Sequence, residues 1–103
     1  MNTQDAVIVS TARTPIGKAY RGAFNDTEAP VLGGHVIRHA LQKAGVEGHE
    51  VDDVILGIAA QQGNQGYNLG RLCCYTAGLP DSVGGMTIDR MCASGLMSIA
   101  TAS

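Results

Sequence analysis

Three short segments limit what this chain can become: Ala6-Val7-Ile8-Val9-Ser10, Val54-Ile55-Leu56-Gly57-Ile58-Ala59-Ala60 and Met86-Thr87-Ile88-Asp89. The first two are continuous apolar runs without polar alternation. Such runs predict strands buried on both faces, as in a sheet covered by helices. Helix-period segments separate the three, giving the order β-α-β-α-β-α. That alternation predicts an α/β fold with a mostly parallel sheet and right-handed crossovers.

The first helix is expected to start near Asp26 or Thr27, either of which can cap it, with Glu28 and Pro30 in its first turn. Val36, Ile37, Ala40, Leu41 and Ala44 form one apolar stripe. Lys43 complements the C-terminal dipole, and Gly45 is the natural stop. Gly33-Gly34 weakens the helix unless close packing against the sheet requires small residues there. A second helix is predicted over roughly Asn68 to Ala77, ended by Gly78 and Pro80. Cys73 and Cys74 lie inside it, one as core and the other partly so. Asp81 to Gly85 reads as a loop.

Composition narrows the partners. The 103-residue chain has length for one domain and a net charge of −2. Its basic residues are scattered, which argues against nucleic acid and against a charged membrane surface. No apolar run approaches the ~20 residues of a membrane span. The start, Met1-Asn2-Thr3-Gln4-Asp5, carries no secretory pattern. Three cysteines without metal-type or disulfide-type spacing fit a reducing compartment, expected to be the cytoplasm.

Several polar residues invite chemistry and receive the plainer reading. His35 and His39 sit one helical turn apart, at metal-ligand spacing, but opposite the apolar stripe beside Arg38 and Gln42. They lack the glutamate of a zinc-protease helix, so they read as solvent-facing. His49 sits in a polar surface loop. Asp52-Asp53 reads as a solvated strand entry. The glycine-rich loop from Gln61 to Arg71 lacks both the P-loop ending and the dinucleotide glycine spacing, and reads as a turn or an interface.

Cys92 stands apart. Asp89-Arg90-Met91-Cys92-Ala93-Ser94-Gly95 joins a strand end to a helix start, where active sites gather in open α/β sheets. The first amides of a helix and its positive dipole end favour thiolate over thiol, and the thiolate is the nucleophile. Ala93, Ser94 and Gly95 leave room beside the sulfur, and Ser98, Ala100, Thr101 and Ala102 make a thin helix. A cysteine in such a place can also be inert packing.

With these residues in view, the chain resembles the N-terminal part of the thiolases, the acetyl-CoA acetyltransferase and 3-ketoacyl-CoA thiolase family. Val9-Ser10-Thr11-Ala12-Arg13-Thr14-Pro15-Ile16-Gly17-Lys18 resembles the family's opening strand and loop. Val51-Asp52-Asp53-Val54-Ile55-Leu56-Gly57 resembles its second strand. Gly66-Tyr67-Asn68-Leu69-Gly70-Arg71 is similar to its Gly-x-Asn-x-x-Arg segment. Ala77-Gly78-Leu79-Pro80, then Thr87 to Leu96, resembles the approach to the nucleophile and the nucleophile motif itself.

The resemblance implies a layered αβαβα fold present in part. Residues 1–103 would be a partial N-terminal domain ending inside the nucleophile helix. It implies that Cys92 attacks an acyl-CoA thioester and carries the acyl group, which passes to the carbanion of a second acetyl-CoA or back to CoA. The Cys92 amide would help hold the oxyanion. CoA thioesters are then substrates, no resident cofactor or metal is expected, and the full-length protein is expected to be a homodimer or homotetramer. The Gly63 to Arg71 segment is a candidate for the dimer contact. The family's activating histidine and second cysteine match nothing in this sequence, so the chain alone is expected to be inactive.

Many thiolases carry Asn where this chain has Asp89. An inward-pointing acid there would raise the thiol pKa, whereas one at a strand end can turn sideways and bond backbone. The alternatives to an acyl carrier are a non-catalytic α/β fragment with an interaction role and a stand-alone thiol or redox protein.

Overall fold

The computed structural model describes residues 3–103. Its principal elements are α1 (Ala29–Ala44), β1 (Asp53–Gly57), α2 (Leu69–Ala77), β2 (Gly84–Ile88) and α3 (Ser94–Ala102), with short 3-10 turns at Gly48–Glu50 and Gly63–Gln65. The two strands pair in parallel, from Asp53 opposite Gly84 to Gly57 opposite Ile88. A parallel pair needs a long crossover, and α2 is the helix within it. The fold class is α/β, as the alternation predicts.

The core is centred on α2. Leu69, Gly70, Cys73, Cys74 and Ala77 fall on one face of that helix, and all are buried. Val83, just before β2, joins them. Fully burying side chains the size of leucine or valine stabilises the fold by about 1.5–3 kcal/mol each. Both cysteines are inside, at 0% and 1% exposure, so the expectation that one of them is only partly buried is corrected. The small thiol is what fits between α2 and its neighbours. A Cβ on Gly33 would collide with the Cys73 sulfur, and one on Gly34 would run into Thr76.

Gly33-Gly34 thus answers to close packing, but against α2 rather than the sheet. The notch lets the two helices approach closely. Arg38 seals the crossing by donating from Nη1 to the Thr76 carbonyl at 2.6 Å. A similar economy operates between α2 and β2. A Cβ on Gly85 would stand 2.6 Å from the Arg71 Cα, and one on Gly70 would overlap the Met86 carbonyl.

Both predicted helix stops hold. Gly45 and Gly78 adopt left-handed conformations at φ 68° and 76°. In each case the glycine amide and the next one bond back to carbonyls of the last turn, the Schellman arrangement. The start of α1 differs from expectation. Glu28, not Asp26 or Thr27, occupies the cap position and makes no side-chain cap. The Ala29 amide is instead satisfied by the Asn64 side chain, at 3.2 Å, from the loop after β1. A cap supplied from a remote loop leaves no local signature.

The run Ala6–Ser10 is not a strand. It is irregular, and Val7, Ile8 and Val9 are exposed. Ala6, Val7 and Ile8 lie beside Ile99 and Ala102 of α3, while Lys43 donates to the Thr11 carbonyl at 2.8 Å. β-branched residues favour extended backbone, but a strand also needs a neighbour's amides and carbonyls in register. Among the described residues the sheet consists of β1 and β2 alone. The observed order is therefore α-β-α-β-α. The last strand also begins earlier than expected, at Gly84, because the Gly84 amide already bonds the Asp52 carbonyl at 3.2 Å.

Candidate active site

The site is built where β2 hands over to α3. The Ile58 amide bonds the Ile88 carbonyl at 3.0 Å, carrying the β1–β2 pairing to the last residue of β2. Asp89 follows, and its carboxylate Oδ1 accepts the Met91 N–H at 2.8 Å. The acid has turned to the backbone, the sideways alternative foreseen for a strand end. Met91 takes a left-handed conformation at φ 49°, uncommon for a residue with a side chain. Cys92 comes next, exposed to solvent. Ala93 forms the cap position of α3 without a side-chain cap.

Ser94 closes the turn. Its Oγ accepts the Arg90 N–H at 2.8 Å and donates to the Met91 carbonyl at 2.6 Å. The residue is 3% exposed. A serine hydroxyl can do both at once, having one donor and free lone pairs. Ser94 and Gly95 also lie on Gly57, where a Cβ would overlap the Ser94 carbonyl. The turn that presents Cys92 is thus pinned to the end of β1 and closed by two side chains.

The other thiols are placed differently. Cys74 Sγ lies 3.4 Å from the Gly70 carbonyl and 3.5 Å from that of Gly84. Burial pushes the Cys73 thiol up, and burial pushes the Cys74 thiol up against the opposing influence of Arg71. Both are structural, in keeping with their lack of assigned chemistry.

The glycine-rich loop is also structural within this chain. Asn68 donates from Nδ2 to the Gly85 carbonyl at 2.9 Å, and its Oδ1 accepts from Thr87 Oγ1 at 2.8 Å. Thr87 Oγ1 in turn accepts the Gly70 amide at 2.9 Å. Arg71 lies over the Tyr75 ring at 4.6 Å, donates to its hydroxyl at 3.1 Å, and donates to the Val83 carbonyl. Sequence reasoning gave no role to Ser94 in closing the turn, nor to Asn68, Thr87 and Arg71 in tying α2 to β2. The spacing Asn68 to Arg71, one turn of a starting helix, was the only local signal available.

His35 and His39 are exposed, with ring centroids 4.2 Å apart. They share no third ligand: among the described residues no group of three His, Cys, Asp or Glu is placed to hold a metal. His49 is exposed on the short turn Gly48–Glu50, and Asp52 and Asp53 are exposed at the entry to β1. None of the three histidines belongs to an element that forms the Cys92 turn. No helix of the described residues is long and apolar enough to cross a membrane.

Comparison with known proteins identifies the family. Residues 6–103 match the family model described as the thiolase N-terminal domain. The chain is 42% identical over 100 residues to a 3-ketoacyl-CoA thiolase of Bacillus subtilis, an alignment covering 97% of this chain and 26% of that protein. It is 36% identical over 101 residues to an acetyl-CoA acetyltransferase of Syntrophomonas wolfei, covering 98% of this chain and 25% of that protein. The chain therefore spans about a quarter of the length of these relatives.

Proposed function

The chain belongs to the thiolase family, and from that premise we propose that it carries the acyl-accepting cysteine of a thiolase-type acyltransferase. Cys92 is the acceptor. Its thiolate sulfur attacks the thioester carbonyl carbon of an acyl-CoA. The carbon–sulfur bond to CoA breaks, CoA leaves as a thiolate, and the acyl group rests on Cys92 as a new thioester. The acyl group then passes to the carbanion of acetyl-CoA, making a 3-ketoacyl-CoA, or returns to CoA in the cleavage direction. The substrates are CoA thioesters, and this chemistry calls for no resident cofactor.

The observation that carries the reading is the contrast among the three thiols. Cys92 is exposed on a hydrogen-bonded turn at the start of a helix, while Cys73 and Cys74 are buried. The Cys92 amide, at the start of the helix, is suited to an oxyanion. The test is incubation of the chain with acetyl-CoA followed by mass analysis. The expected result is one acetyl group on Cys92, lost in Cys92→Ala. Labelling of Cys73 or Cys74 in the folded chain counts against it, while no adduct at all counts against the half-reaction in this chain by itself.

The partners in this reading are acyl-CoA, CoA and further copies of the same protein, as a dimer or tetramer. Tyr67, almost fully exposed beside the Gly63 to Arg71 segment's helix start, supports that segment as a contact. The setting in this reading is a reducing one, the cytoplasm, on the strength of the cysteine number and spacing. An interaction role without catalysis is the second reading. It is favoured by the apolar side chains left exposed on residues 7–9 and on α3, Leu96 and Ile99 among them.

A further inference from the structure

Resting on the reading of Cys92 as acyl acceptor, we propose that Asp89 is a positioning residue for it, acting through Met91. The carboxylate does not face the sulfur as a general base; it is engaged with the Met91 amide at 2.8 Å. That bond spans Arg90, so it closes a small ring at the end of β2. Ser94 closes the same turn from the helix side, its Oγ accepting the Arg90 N–H and donating a hydrogen bond to the Met91 carbonyl. Between the two clamps Met91 is held at φ 49°, a conformation a methionine does not adopt by preference. Strain of this kind persists only where the surroundings over-determine it. Released, Met91 would relax to ordinary backbone angles and carry Cys92, its immediate neighbour, away from the start of α3.

What the clamp needs from residue 89 is an acceptor oxygen, not a charge. An asparagine Oδ1 supplies the same acceptor.

The test is the rate of Cys92 alkylation by iodoacetamide at neutral pH, followed by peptide mass in the full chain, with hydrogen exchange at the Met91 amide. It needs no acyl-CoA, so its outcome is separate from that of the acyl-adduct experiment. In Asp89→Ala, Cys92 leaves the positive end of α3, and alkylation is expected to slow about threefold. The Met91 amide should exchange about tenfold faster. Asp89→Asn should match wild type in both. Adding Met91→Gly to Asp89→Ala should restore the alkylation rate, because glycine takes the left-handed conformation unaided. If Asp89→Asn and Asp89→Ala move together, the charge rather than the clamp is what matters, and the proposal falls. It falls equally if neither variant moves. Circular dichroism melts identify a variant that has unfolded; in that case Ser94→Ala, which removes the other clamp, decides, with the same slowing expected and no change overturning the proposal.

Discussion

Gly57, the last residue of β1, and Ser94, the first of α3, meet so closely that a Cβ on the glycine would overlap the serine carbonyl. The contact places the start of the Cys92 helix on the end of the sheet. Gly57→Ala should push α3 away and cost about 1–3 kcal/mol by overpacking. Urea denaturation measures the loss. An unchanged midpoint would show that α3 does not rest where the structure puts it.

Gly34 sets two effects of opposite sign against each other. Alanine is better than glycine in a helix interior by about 1 kcal/mol. A Cβ there, however, meets the Thr76 backbone carbon at 2.8 Å, and backbone cannot swing aside. Overpacking typically costs about 1–3 kcal/mol, so Gly34→Ala is expected to destabilise. A stabilised variant in thermal melts would mean the α1–α2 crossing is looser than described.

Arg71 joins α2 to the entry of β2 through the Val83 carbonyl, the Tyr75 hydroxyl and the Tyr75 ring. Lysine keeps the charge but loses the planar fork and the stack. Arg71→Lys should lower stability and shift the denaturation midpoint down, chiefly through the weakened bond to the Val83 carbonyl. Chemical denaturation of the two proteins side by side gives the difference, and equal midpoints contradict the clamp.

The thiols should separate by accessibility. Cys92 is exposed, and Cys73 and Cys74 are buried with their thiols raised. In the folded chain, Cys92 is expected to alkylate about a hundredfold faster than the other two, which react only on opening. In denaturant the three rates should converge. Comparable native rates would place the core elsewhere.

Burial of those two thiols also links stability to pH. The folded chain holds their protons more tightly than the unfolded chain, whose thiols titrate near about 8.5. Stability from this source is complete below that value and declines as pH rises past it toward the raised native values. The urea midpoint should fall on going from about pH 8 to about pH 10. The fall should be shallower in Cys73→Ala, and equal slopes in the two proteins would rule out the linkage.

The site was legible to the extent that it is local. A strand, a sharp turn and a small-residue helix around Cys92 follow from the stretch between Met86 and Ala102, and that is where the structure places the exposed thiol. Asp89 could face the sulfur or the backbone on sequence alone, since one side-chain rotation separates the two. The Met91 amide decides it, at 2.8 Å. Ser94 was legible as a small residue making room. That its hydroxyl bridges Arg90 and Met91 depends on the left-handed turn, which no propensity for methionine foretells.

The sequence by itself determined the elements whose signals lie within a few residues: α1 and α2 with their glycine stops at Gly45 and Gly78, the apolar run of β1, and a cysteine between strand and helix. Helical periodicity and left-handed glycine caps are properties of a short stretch of chain. The tertiary structure decided what depends on distant partners. It left Ala6–Ser10 without a strand neighbour, buried Cys73 against Gly33, capped α1 from Asn64 and seated Ser94 on Gly57. A hydrogen-bond ladder and a missing Cβ acquire meaning only when a second segment arrives beside them, and the turn that presents Cys92 depends on both.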